Sequence, residues 1–220
     1  MQFDLASKID HTNLKPTAQK SDIFSLCEEA AEYGFSSVCV ASRWVATAHK
    51  ELASTDVKVC SVVGFPHGNS STHAKVSETM QALRDGAVEI DMVMSVGDMK
   101  AGNFEGVHND ILEVSKVVKQ HAGCLKVILE TGYLDDDEVV KACIIAVKAG
   151  VDFVKTSTGF GPSGADPETV ALMRKTVGEQ VGVKAAGGIK TLADAQKMLN
   201  AGASRLGCSS SVDLINELSR

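Results

Sequence analysis

Hydrophobic and polar positions along the chain repeat one short theme. An amphipathic helical stretch ends at a glycine, and a run rich in β-branched residues follows within a few positions. The theme reads A-A-E-Y-G-F-S-S-V-C-V, A-L-R-D-G-A-V-E-I-D-M-V, A-V-K-A-G-V-D-F-V-K-T and M-L-N-A-G-A-S-R-L-G-C. Glycine at that junction suits a helix C-terminus that needs positive φ, and the apolar run beyond it suits a buried strand. Looser copies precede V-K-V-C-S-V-V-G-F (57–65), L-K-V-I-L-E-T (125–131) and V-G-V-K-A-A-G-G (181–188), and S-K-I-D-H-T opens the series. That makes about eight strands alternating with helices, the number a closed barrel needs. A doubly wound open sheet is the competing arrangement. It usually carries G-x-G-x-x-G after its first strand, where this chain has H-T-N-L-K-P. The pattern therefore predicts an α/β fold, a TIM (β/α)8 barrel, as one domain over residues 1–220 with no linker or low-complexity break.

A barrel changes how single residues read, because the C-terminal ends of all its strands converge on one face. The candidates there are Asp10 and Thr12, Cys39, Gly64, Asp91, Glu130, Lys155 to Thr158, Lys184 to Gly188, and Gly207 to Ser210. Lys155 interrupts the apolar run V-D-F-V-K, and a buried ammonium is costly unless paired or neutralised. Lys184 ends the next strand, V-G-V-K, and neighbouring strands lie about 4.8 Å apart, which brings the two amines close. Two like charges at that range lower one pKa, and a neutral amine can form a Schiff base with a carbonyl. The structural alternative is that Lys155 points outward or sits in a buried ion pair. Lys126 shows how little a lone strand lysine signifies; its strand also carries Glu130, a partner for it or for another inward lysine.

Glu89 and Asp91 are two apart in E-I-D and share a side of their strand. A carboxylate beside two lysines stays ionised and can hold a water for proton transfer, or can simply neutralise a lysine. The loops after the last two strands are more specific. In G-G-I-K-T (187–191), Thr191 with Asp194 makes a capping box, and G-C-S-S-S-V-D (207–213) again sets glycine and serines before a helix. Close backbone approach and the positive helix end make an anion cradle of the pair, where such barrels usually hold phosphate.

The net charge of −6 argues against nucleic acid or an anionic membrane as main partner. The N-terminal stretch carries Asp4, Lys8 and Asp10 where a secretory signal needs an apolar run, and no segment is long and apolar enough to span a bilayer, so a cytoplasmic protein is expected. The six cysteines form no C-x-x-C pair and read as reduced thiols. The histidines show no H-E-x-x-H or H-x-H spacing. Only His67 and His73 share a loop, so no metal site is expected. Trp44 reads as a helix-face packing residue.

These segments together resemble deoxyribose-phosphate aldolase over essentially the whole length: D-H-T-N-L-K-P, S-V-C-V, V-V-G-F-P, E-I-D-M-V, K-V-I-L-E-T-G, D-F-V-K-T-S-T-G-F, V-K-A-A-G-G-I-K-T and A-G-A-S-R-L-G-C-S-S, in that order. The resemblance implies a TIM-barrel Schiff-base aldolase that needs no metal or other cofactor. Such an enzyme reversibly splits 2-deoxy-D-ribose 5-phosphate into acetaldehyde and D-glyceraldehyde 3-phosphate in deoxyribonucleotide catabolism. It implies that Lys155 forms the imine, Lys184 lowers its pKa, Asp91 moves protons through water and Asp10 supports the relay. Thr12 and Thr158 are implied as sugar-hydroxyl contacts, and Gly159, Gly187, Gly188, Gly207, Ser209 and Ser210 as the phosphate site. Cys39 is implied near the substrate entrance, within reach of unsaturated aldehydes. Self-association is left open. Departures fall at Ala41 and Ser42, where Asn-Pro often follows S-V-C-V, and at Ser95, where Asn is common; they bear on the shape of the aldehyde pocket. Another phosphate-binding barrel enzyme, an isomerase or a different Schiff-base aldolase, is the alternative, and a non-catalytic sugar-phosphate binder is a further one.

Overall fold

The computed structural model describes residues 5–218. The strands are β1 (Ile9–Asn13), β2 (Ser37–Val40), β3 (Lys58–Val63), β4 (Glu89–Val93), β5 (Cys124–Ile128), β6 (Phe153–Lys155), β7 (Gly182–Ala186) and β8 (Arg205–Cys208). They form a closed parallel barrel in sequence order, with β8 pairing back onto β1. The helices are α1 (Lys20–Tyr33), α2 (Val45–Glu51), α3 (Thr72–Arg84), α4 (Val96–Lys100), α5 (Phe104–Gln120), α6 (Asp136–Lys148), α7 (Pro167–Val177), α8 (Leu192–Asn200) and α9 (Ser211–Leu218). Helix α4 is a short extra element between β4 and α5. The expected TIM barrel is what the chain forms.

The repeated helix-to-strand junction works as its composition demands. Gly34, Gly86, Gly150 and Gly202 all have positive φ, at 67°, 106°, 80° and 108°. At Gly86 the crowding is also lateral, since a Cβ there would lie 2.3 Å from the His49 ring. The helix starts are capped by short polar side chains: Asp135 with Glu138 forms a capping box on α6, Asp166 accepts from Glu168 N and Thr169 N at the start of α7, and Thr191 with Asp194 forms the expected box on α8.

The apolar core lies between strands and helices. Ile9, Val38, Val59, Ile90, Val127, Val154, Val183 and Leu206 face outward from the barrel and are buried under the helices. Each such side chain contributes roughly 1.5–3 kcal/mol relative to exposure. Trp44 ends a turn of 3-10 helix before α2 and is partly buried against this layer. Strand alternation then sends the neighbouring positions inward, and many of those are charged. Two strand expectations need correction. Strand β6 spans only Phe153–Lys155; Asp152 before it still bonds Leu125 O and Gly182 N through its backbone, and its side chain accepts from Leu125 N at 2.8 Å. Strand β5 stops at Ile128, and Glu130 beyond it adopts a left-handed conformation with φ 55°.

Candidate active site

The barrel interior holds a continuous charged cluster instead of the bulky aliphatic layers common in this fold. Lys155 and Lys184 are register partners on β6 and β7, and both ammonium groups reach one oxygen, Asp91 Oδ2, at 2.7 Å each. Lys184 also donates to Asp10 Oδ2 at 2.5 Å. Lys126 lies on the other side of Asp91, 2.8 Å from Oδ1 and 2.7 Å from Glu89 Oε2. Arg205 closes the ring with Asp10 Oδ1 at 2.7 Å and Glu89 Oε2 at 3.2 Å. Both Glu89 and Asp91 therefore face inward, as their spacing allowed.

Burial alone would push Asp91 toward its neutral acid. Lys126, Lys155 and Lys184 outweigh it and hold the carboxyl well below the usual carboxylate range. Asp10 behaves the same way: burial is opposed by Lys184, Lys126 and Arg205, and the pKa is lowered. Burial disfavours the charged forms of Lys126 and Lys184, yet their carboxylates hold both amines protonated, well above the ordinary lysine value. Lys184 is thus a fixed cation between two fixed anions.

Above this cluster, at the C-terminal ends of the strands, opens a cleft of about 440 Å³. Thr12, Lys155, Thr158, Gly159, Gly187, Gly188, Gly207 and Ser209 line it. Asp10, Asp91 and Lys184 lie beneath, fully buried and in direct ion-pair contact with one another or with Lys155. Of the cluster's cations only Lys155 both touches Asp91 and borders the cleft.

Other predicted positions fall elsewhere. Ser210 stands before α9 and does not border the cleft. Cys39 is fully buried beside Cys60, with Leu14 and Phe65 packed on the pair, and is not at the entrance. Glu130 is not a partner of Lys126; its turned backbone directs the carboxylate to Thr158, whose N–H donates at 3.2 Å and whose hydroxyl donates as well. Thr158 and Phe160 separate the main cleft from a second one of about 310 Å³ that Glu130 lines with His67 and Tyr133. Ala41, Ser42 and Ser95 line neither cleft: Ser42 donates to Glu78 at 2.9 Å and Ser95 caps α4.

Several residues that sequence reasoning left aside belong to the site. Arg205 sits two positions before Gly207 on the same face of β8, which was the available signal. Lys126 was set aside as a lone strand lysine although it shares the inward parity of Asp91, its register partner. Lys15 and Lys190 also line the cleft that the glycines line. His11 also lines the cleft, bridging Ser211 Oγ at 2.9 Å and Glu29 Oε2 at 2.7 Å.

A parallel barrel whose charged interior opens at the C-terminal face into a glycine-lined cleft places the chain among TIM-barrel enzymes. The chain belongs to the DeoC/LacD family of aldolases, whose model matches residues 5–211. It is 53% identical over 216 residues to a deoxyribose-phosphate aldolase of Caldanaerobacter subterraneus subsp. tengcongensis, covering 98% of this chain and 94% of the relative. A deoxyribose-phosphate aldolase of Bacillus cytotoxicus is 53% identical over 213 residues, 97% of this chain and 95% of that one. The structure of deoxyribose phosphate aldolase from Aeropyrum pernix, described as a unique tetramer, superposes with a TM-score of 0.92 at 34% identity, covering 98% of this chain and 91% of that one.

Proposed function

We infer that this chain is a deoxyribose-phosphate aldolase, a Schiff-base lyase that needs no metal. It reversibly cleaves 2-deoxy-D-ribose 5-phosphate to D-glyceraldehyde 3-phosphate and acetaldehyde. The observation that carries the assignment of roles is the position of Lys155, joined to the buried cluster through Asp91 and open to the cleft.

The reaction needs a neutral amine at the carbonyl carbon. Asp10, Glu89 and Asp91 face Lys126, Lys155, Lys184 and Arg205 in the cluster, so release of one proton from Lys155 leaves the charges balanced. The neutral amine attacks C1 of the open-chain sugar, and the carbinolamine loses its hydroxyl as water with a proton relayed by a water held against Asp91 and Asp10. The resulting iminium draws in the electron pair of the C2–C3 bond as the C3 hydroxyl gives up its proton. Glyceraldehyde 3-phosphate departs, and the enamine left on Lys155 is protonated at C2 and hydrolysed to acetaldehyde. Lys184, fixed as a cation, keeps Asp91 ionised and adds positive potential beside the reacting amine.

The phosphate is assigned to the rim formed by Gly159, Gly187, Gly188, Gly207 and Ser209, where glycine leaves the backbone uncovered. Ser210 takes a supporting place at the start of α9. Thr12 and Thr158 face the sugar between phosphate and amine. The free cysteines support assignment to a reducing cytoplasm. Self-association is proposed by analogy with the Aeropyrum pernix tetramer, and light scattering of the purified protein decides it. For the reaction itself, Lys155→Ala should reduce cleavage of 2-deoxy-D-ribose 5-phosphate to background while the protein stays folded; near-normal cleavage by that variant overturns the assignment.

A further inference from the structure

Two thiols in the barrel interior have no part in the reaction above. Cys39 on β2 and Cys60 on β3 are register partners on adjacent parallel strands, and both are fully buried. Neighbouring strands lie about 4.8 Å apart, inside the Cα separation of roughly 4.4–6.8 Å that a disulfide spans. The two sulfur atoms and a carboxylate oxygen of Asp91 lie within 4.8 Å of one another. With Val62 they form a small cluster on which Leu14 and Phe65 pack. Leu14, one of the side chains packed on this cluster, also borders the open cleft.

The two thiols differ in chemistry. Cys60 donates to Asp91 Oδ1 at 3.2 Å and receives a hydrogen bond from Lys126 Nζ at 3.3 Å. Interaction with neighbouring Cys60 holds the Cys39 thiol below its ordinary pKa against the effect of burial, whereas burial raises Cys60 well above it. Such a pair has a member suited to attack and a member suited to resolve. The remaining cysteines lack this setting: burial pushes Cys27 up to about 11 and Cys124, Cys143 and Cys208 up to about 12.

We propose that Cys39 and Cys60 are a peroxide-oxidisable thiol pair that closes to a disulfide between β2 and β3. The Cys39 thiolate attacks one oxygen of hydrogen peroxide, the O–O bond breaks, and the other oxygen leaves as hydroxide and is protonated to water. The Cys60 sulfur then attacks the Cys39 sulfenic acid, and the displaced hydroxide leaves with the Cys60 proton as a second water. Two thiols are oxidised to one disulfide while one peroxide is reduced to two waters. The bond removes the Cys60 S–H from Asp91, the carboxylate that holds Lys155. Resting on the aldolase assignment, the oxidised form therefore cleaves substrate more slowly, and a dithiol reductant restores the rate.

The test exposes the folded protein to hydrogen peroxide, alkylates it under denaturing conditions and reads intact mass and peptide map. The expected result is that six alkylatable cysteines fall to four, that a Cys39–Cys60 peptide pair is recovered, and that dithiothreitol returns the count to six. In Cys60→Ser the oxidation stops at a Cys39 sulfenic acid that dimedone labels. Six surviving thiols under excess peroxide overturn the proposal, as does equal loss of two thiols in Cys60→Ser, or a cross-link through oxygen from Cys60 to Lys126 in place of the disulfide. The wild-type map reads the bond without any variant and independently of substrate. A disulfide formed with no change in cleavage rate supports the thiol pair and overturns its coupling to Asp91.

Discussion

Replacing Asp91 with asparagine keeps the shape of the side chain and removes the charge on which three lysines converge. After Asp91→Asn, Lys126 still has Glu89 at 2.7 Å and Lys184 still has Asp10 at 2.5 Å, but Lys155 loses its carboxylate partner. Breaking a buried ion pair from one side costs about 3–5 kcal/mol. Because Lys126 and Lys184 keep a carboxylate, the lower end applies. A loss of about 3 kcal/mol in a chain of this size lowers Tm by roughly 6–12 °C at neutral pH, which leaves a protein of ordinary stability folded. The pH dependence follows from the direction of the shift. The Asp91 carboxyl is held below its ordinary value of 3.8, so its contribution is present above that value and lost as pH falls toward the lower folded pKa. Calorimetric melts of wild type and Asp91→Asn should therefore differ most near neutrality and converge on acidification below about pH 4. Equal Tm values at pH 7, or a gap that persists unchanged in acid, would refute the view that Asp91 is an ionised anchor for the lysines.

Three further changes probe separate parts of the structure. Gly207→Ala places a Cβ 2.9 Å from Ala186 Cβ and 3.1 Å from Lys184 Cε; steady-state kinetics should show a raised KM for the phosphorylated sugar and a lower kcat, and unchanged values contradict the placement. Thr191→Ala removes the acceptor for Asp194 N at the start of α8 and should cost about 1 kcal/mol, or roughly 2–4 °C in a thermal melt. Lys75→Met serves as a control away from the cleft. It leaves Asp110 without the buried ammonium now 2.6 Å away, so denaturant titration should show a loss of about 3–5 kcal/mol, while kcat per folded molecule stays at the wild-type value.

The barrel was legible because its signal repeats. Each helix-to-strand junction is a local event, a glycine at positive φ followed by an apolar run, and several such junctions leave few architectures open. Lys155 was legible for a related reason: parallel register on consecutive strands sets it beside Lys184, and the structure brings both to Asp91 Oδ2. Spacing alone did not separate the two lysines. That distinction depends on depth, since Lys184 ends under the glycine loops against Asp10 while Lys155 borders the cleft, and depth is a property of the closed barrel. Arg205 was missed because its partners come from strands far away in sequence; it meets Glu89, more than a hundred residues earlier. Lys126 meets Glu89 and Asp91 on the preceding strand, and its inward parity was the signal passed over. Glu130 was misplaced because strand parity was carried past Ile128, where the backbone turns left-handed. Cys39 was assigned by family position, and its actual surroundings, Cys60 on the adjacent strand and two apolar side chains packed on the pair, follow from register and packing.

The most direct test of the central claim is borohydride reduction of the protein mixed with 2-deoxy-D-ribose 5-phosphate, followed by intact-mass measurement and mapping of the modified peptide. The proposed mechanism predicts one stable secondary amine per chain, carried on Lys155 in the V-D-F-V-K-T segment, and the same adduct on Lys155 in a Lys184→Met variant that retains the fold. No added mass, or an adduct that maps to Lys184 or Lys126, contradicts it.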